Sequence, residues 1–180
     1  MLLSLDISTT CTGYCIFNND GMLLESNAIV LNKIKDFFEK VKKVENVLGI
    51  LVEKYDITNV AIEESLQSFR PGLSSAKTLF TLSKFNGIIQ FLCYNYGIKI
   101  HKYNVNTARK LNGIKIDRKQ DKSTKDQIVS HVLEQNINVY LPKKILKSGP
   151  RKGKEVYENY AYDIADAYIV GNAYCIENMK

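Results

Sequence analysis

The first thirty residues break into three strand-like runs, and a helical period starts directly behind them. Leu2 to Asp6 is a short apolar run that ends on an acid. A Ser/Thr-rich turn (Ser8, Thr9, Thr10, Thr12, Gly13) separates it from a second run, Tyr14 to Phe17. Asn19-Asp20-Gly21, whose residues tolerate the positive φ of a tight turn, then leads into a third. Strands over about 2–6, 14–18 and 22–30 are therefore expected to pair antiparallel. From Lys33 to Tyr55 the apolar residues Ile34, Phe37, Phe38, Val41, Val44, Val47, Leu48 and Leu51 recur at three- and four-residue steps, the mark of an amphipathic helix with a lysine-rich outer face.

A buried strand follows at Asn59 to Glu63, then a helix from about Ser74 to Tyr96 that Gly97 ends, then a fifth strand at Ile98 to Tyr103. Beyond it the pattern predicts a short helix near Asn106 to Leu111 and a longer one from about Ser123 to Gln135. A basic loop from Leu141 to Tyr157 and a last helix from about Tyr160 to Glu177 complete the chain. This order predicts an α/β protein with a five-stranded mixed sheet and helices on both faces. It is the order of the ribonuclease H-like fold, and other α/β folds share it. A chain of 180 residues suits one compact domain, 1–180.

The N-terminus has no basic region and meets an acid at Asp6, so it does not read as a signal peptide, and no apolar run approaches the ~18–20 residues of a membrane span. A cytoplasmic protein with no membrane association is expected. Four scattered cysteines (Cys11, Cys15, Cys93, Cys175) then favour reduced thiols, and a Cys11/Cys15 metal half-site lacks a second ligand pair.

Four acids stand out from those on helix faces and in turns. Asp6 ends one buried strand, Glu63 (with Glu64 beside it) ends another, and Asp163 and Asp166 lie three apart on the last helix, on nearly one face. Carboxylates gathered at one sheet edge repel each other and resist burial, a conflict that a divalent cation resolves. Hard oxygen ligands suit Mg²⁺, or Mn²⁺, and no neighbouring His/Cys set argues for zinc. Four carboxylates are also the inventory of a two-metal phosphodiester hydrolase, with two ions per site, one activating water and the other stabilising the departing 3′ oxygen. Each acid alone has an ordinary reading: Asp6 would cap the following turn, and Asp163 would favour the first turn of its helix.

At these residues the sequence resembles the RuvC family of Holliday-junction resolvases, in particular the shorter RuvC-like nucleases carried by bacteriophages. The matching segments are LSLDISTTCTGY, VAIEES, SSAKTLFTLSKFNGII through IKIHKYNV, DKSTKDQIV and YDIADAYIVG. The resemblance implies a ribonuclease H-like fold, a homodimer, and Mg²⁺-dependent nicking of branched DNA such as four-way junctions. If the chain is phage-encoded, it implies work in the cytoplasm of a bacterial host. It assigns metal ligation and catalysis to Asp6, Glu63, Asp163 and Asp166. It also assigns contact with the scissile phosphate to Lys122, with Lys119 as second choice. The family's aromatic wedge has Leu66 at the equivalent offset here. The nearest aromatic is Phe69, beside Arg70, and these two are candidate DNA contacts.

The charge is distributed to match. Residues 99–154 hold 15 Lys and Arg against four acids, residues 1–98 hold nine against ten, and residues 155–180 hold one against five. The basic block lies in sequence between the two halves of the acid set, so Arg118, Lys119, Lys122 and Lys125 are candidates for phosphate contacts around a cleft. Gly149-Pro150-Arg151-Lys152-Gly153-Lys154 lacks the spacing of a nucleotide phosphate loop. Three alternatives are weighed. One is an RNA-processing nuclease of the YqgF type, and another is a catalytically idle DNA-binding module. The third is an actin-like ATPase or sugar-kinase phosphate loop at Asp6 to Gly13, although ten glycines and 180 residues leave no room for its second lobe.

Overall fold

A computed structural model describes residues 1–64, 75–136 and 138–179. Five strands, β1 (Leu2–Ile7), β2 (Cys11–Phe17), β3 (Leu23–Val30), β4 (Asn59–Glu63) and β5 (Lys99–Tyr103), form one sheet in the order β3-β2-β1-β4-β5. The three hairpin strands pair antiparallel, whereas β4 lies parallel to β1 and β5 parallel to β4. The helices are α1 (Phe37–Tyr55), α2 (Ala76–Asn95), α3 (Val105–Leu111), α4 (Thr124–Gln135) and α5 (Asn159–Asn178). This is the expected five-stranded mixed sheet with helices on both faces.

Alternation along the strands divides the core. Leu3, Leu5, Val60 and Ile62 pack with Val44 and Leu48 of α1 and Phe85 and Ile89 of α2. Leu2, Cys15, Phe17 and Ala61 pack on the opposite face with Ala108, Ile128, Val132, Ile164 and Ile169 of α3, α4 and α5. By the same parity, Asp6 and Glu63 belong to the α5 face. The β1–β4 register runs to Leu5 opposite Ile62, so the two acids stand one step on, at adjacent strand ends.

Helix α5 comes down on β1 and β2 where side chains are missing. A Cβ at Gly13 would collide with the carbonyl of Asp163, and one at Gly171 would collide with the Phe17 ring and lie 2.6 Å from Ser4 Oγ. Gly13 is also the cross-strand partner of Asp6. The helix therefore delivers Asp163 directly above the end of β1.

Three elements differ from expectation. Strand β2 begins at Cys11, because Thr9 and Thr10 alone make the turn. The Ser8 amide donates to the Cys11 carbonyl (3.1 Å), and Ser8 Oγ accepts from the Thr10 and Cys11 amides (3.3 and 3.1 Å). Thr12 and Gly13 are thereby strand residues. Helix α1 begins at Phe37, where Asp36 caps it by accepting from the Phe38 and Glu39 amides, both at 2.9 Å. The expected loop 141–157 contains a hairpin, β6 (Lys143–Ile145) paired antiparallel with β7 (Glu155–Tyr157). Strands of three residues are too short for alternation to reveal. All four cysteines are free and buried. Among the described residues no helix is long and apolar enough to cross a membrane.

Candidate active site

Asp6 at the end of β1, Glu63 at the end of β4, and Asp163 and Asp166 on the first turns of α5 meet at one edge of the sheet. Each is half-buried. Burial pushes the Asp6 carboxyl well above its ordinary value, and the charges of Asp166, Glu63 and Asp163 add to that push while Lys125 opposes it. Glu63 is raised to about 7 by burial and by Asp166, against the pull of Arg109. Asp166 is raised to about 6, chiefly by burial, with Arg109 and Lys125 opposing and Asp163 adding. Burial also raises Asp163, which Lys125 and a hydrogen bond from the Cys11 thiol partly offset.

The four acids are thus electrostatic neighbours. Among the described residues no three or more His, Cys, Asp or Glu side chains are placed so as to hold a metal ion. The set is nonetheless what a hard divalent cation requires: oxygen donors only, crowded, partly desolvated, and short of positive charge.

Two cations act on the acids. Arg109 on α3 faces Glu63 and Asp166, and Lys125 in the first turn of α4 faces Asp6, Asp163 and Asp166. The Arg109 Nε is buried without a hydrogen-bond partner among the described residues. Lys125 Nζ sits 5.4 Å from the centre of the Tyr162 ring, and the Tyr162 hydroxyl donates to Asp126 Oδ1 at 2.9 Å, which fixes the ring. Arg109 went unselected in the sequence because nothing in a basic run marks which cation turns inward.

The other expected phosphate contacts are dispersed. Lys122 precedes α4, is exposed, and lies 3.5 Å from Ser130 Oγ; the carboxylate it acts on is Asp126, outside the four. Lys119 is exposed, its amide bonded to Asp117. Arg118 lines a cavity of about 480 Å³ together with Arg109, Lys110 and Lys115, and with no acid. Gln127 ties this loop to α4: its Nε2 donates to the carbonyls of Asp117 and Lys122 (2.8 and 3.0 Å). Leu66, Phe69 and Arg70 lie outside the described residues. The turn at Ser8 to Cys11 spends the amides of Thr10 and Cys11 on the Ser8 hydroxyl, so it does not offer them to a nucleotide phosphate.

A family model described as "Crossover junction endodeoxyribonuclease RuvC" matches residues 2–145. No curated protein matches the chain. Among solved structures, "T. thermophilus RuvC in complex with Holliday junction substrate" is 12% identical, with 99% of this chain and 96% of that one covered and a TM-score of 0.65. The Thermus thermophilus RuvC structure is 14% identical over 97% and 93% of the two chains, with a TM-score of 0.60. The yeast mitochondrial Holliday junction resolvase Ydc2 is likewise 14% identical with a TM-score of 0.60, over 97% of this chain and 77% of that one. At these identities the likeness shows the fold, which is ribonuclease H-like. Asp163 and Asp166 lie beyond the stretch that the family model matches.

Proposed function

The chain belongs to the RuvC family of crossover junction endodeoxyribonucleases, and we propose that it resolves four-way and related branched DNA by paired, divalent-metal-dependent nicking as a homodimer. The observation that carries this reading is the set of four carboxylates at one sheet edge, raised by burial and mutual repulsion and faced by Arg109 and Lys125. Asp6, Glu63, Asp163 and Asp166 would hold two Mg²⁺ or Mn²⁺ ions, which when bound supply the activation of water and the stabilisation of the departing 3′ oxygen.

The chain's own groups do the positioning. Arg109 has a buried donor with no acceptor among the described residues, suited to a non-bridging phosphate oxygen. Lys125, steered by the Tyr162 ring, offsets charge on the same phosphate from the other side. Lys122, Lys119 and Arg118 extend the positive surface along the strand, and Phe69 and Arg70 contact the DNA from the segment after β4. All 180 residues serve as one nuclease domain.

The outer side of α2 supports the dimer. Phe80, Phe91 and Tyr94 are 69%, 58% and 70% exposed, and they share one stripe with Gly87, above which no described residue lies within 4 Å. Helical spacing of seven, four and three residues makes that stripe an apolar seam with a flat centre, fit for a second copy. A four-way junction has two-fold symmetry, and two sites related by the same axis can nick it in pairs.

The test is a synthetic four-way junction incubated with Mg²⁺ and either wild type or Asp6→Asn. Symmetric nicks by the wild type and none by the variant are expected. Nicking that survives the substitution would overturn the assignment.

A further inference from the structure

The family match ends at Ile145, the last residue of β6, and the tip and second strand of the hairpin lie beyond it. Residues 146–154 at its tip contain Lys147, Arg151, Lys152 and Lys154 and no acid. All four cations are exposed, and among the described residues none of them forms an ion pair. The cations at its base differ: Lys143 is paired with Glu155 at 2.8 Å and Lys144 with Glu158 at 2.9 Å. The hairpin therefore neutralises its foot and leaves its tip charged.

The tip is built. Leu146 donates to the Lys154 carbonyl (3.0 Å) and Gly153 donates back to the Leu146 carbonyl (2.8 Å), which carries the ladder past the strands. Lys152 and Lys154 donate to the carbonyls of Gly149 and Arg151, both at 3.0 Å, and close the turn. Four like charges on a fixed ribbon repel one another, and that arrangement is relieved by a polyanion.

Its place is equally defined. The Tyr157 ring lies 6.3 Å from that of Tyr162, the residue before Asp163, so the hairpin's foot abuts the first turn of α5. A groove of about 690 Å³ runs between the hairpin and α4, where Lys122, Lys144 and Arg151 stand with Asp121, Asp126 and Glu155, so its charges balance and the surplus positive charge lies on the tip. Resting on the nuclease reading above, we propose that this hairpin is an arm that grips the phosphate backbone of a duplex branch leaving the active site. Cations on a ribbon without a recognition helix or strand seated in a groove suit the phosphate backbone, which carries no sequence information. It adds affinity and leaves the chemical step alone.

The test uses the full chain with Lys147, Arg151, Lys152 and Lys154 all changed to Gln. Binding to a four-way junction is measured against salt in an Asp6→Asn background, and single-turnover nicking at saturating enzyme is measured with Asp6 intact. Neutralising four phosphate contacts on duplex should make the plot of log K against log salt shallower by about 3.6. It should also weaken binding tenfold or more at physiological salt and leave the saturated rate unchanged. Changing the three lysines to Arg should restore the wild-type slope. An unchanged slope in the Gln variant, with wild type binding steeply, overturns the arm alone. A saturated rate that falls with affinity also overturns it, because the hairpin would then act on the scissile strand. Loss confined to structured RNA would replace DNA with RNA as the occupant. Wild type that fails to bind branched DNA overturns the nuclease reading and the arm with it.

Discussion

Gly13 lies against the backbone carbonyl of Asp163, with no room for a Cβ between them, and its cross-strand partner is Asp6. A missing side chain in β2 therefore sets how close the α5 acids come to the acid of β1. Gly13→Ala should raise α5 off the sheet, cost about 1–3 kcal/mol of stability, and remove most nicking activity. Gly171→Ala meets Phe17 and Ser4 in the same seam, away from the acids. It should cost comparable stability and keep more of the activity. Thermal melts paired with junction nicking check both, and equal loss of activity in the two variants would separate Gly13 from the site.

The raised carboxyls make stability depend on pH with a definite sign. Glu63 stands at about 7 against an ordinary 4.5, and Asp166 at about 6 against 3.8. Between each pair of values the folded protein keeps a proton that the unfolded chain has released. Stability in chelator therefore falls as pH rises from about 4 to about 7 and levels off above that. Asp6→Asn removes one of the repelling charges and should flatten the fall. Mg²⁺ should raise the melting temperature more at pH 8 than at pH 5. Melting curves for wild type and variant across that range, with and without Mg²⁺, check this.

The two cations facing the acids should outweigh the one outside. Lys125→Gln and Arg109→Gln should each lower the saturated single-turnover rate by about 100-fold, the scale of losing one preorganised donor. Lys122→Gln should act mainly on affinity. Single-turnover rates against enzyme concentration separate the two effects.

How much of this the sequence revealed follows from local chemistry. Asp6 and Glu63 were legible because an apolar strand that ends on an acid is unusual, and Asp163 and Asp166 because a spacing of three shares a helix face. Lys125 was overshadowed by Lys122, yet it lies three and four residues before the buried Ile128 and Val129, so its exposed side chain leaves α4 on the side of Tyr162. That signal was present in the spacing. Arg109 had no such mark, since its orientation depends on how α3 seats beside β4 and β5. Gly13 read as a turn residue because Ser8, Thr9 and Thr10 also suit turns. Only the Ser8 hydrogen bonds show that the turn ends at Cys11.

The exposed stripe on α2 carries its own prediction. Phe80→Glu with Phe91→Glu should give a monomer by sedimentation, because two charges per copy would meet across the seam. On a four-way junction that monomer should leave single nicks in place of paired ones. Dimers that persist would move the interface elsewhere.

The central claim is that Asp6, Glu63, Asp163 and Asp166 together form the cation centre. It is tested most directly by anomalous scattering from crystals soaked in Mn²⁺. Two peaks among these four carboxylates, reduced in an Asp6→Asn crystal, are the predicted result. A wild-type crystal with no peak there, or with its peaks on other residues, would contradict the account.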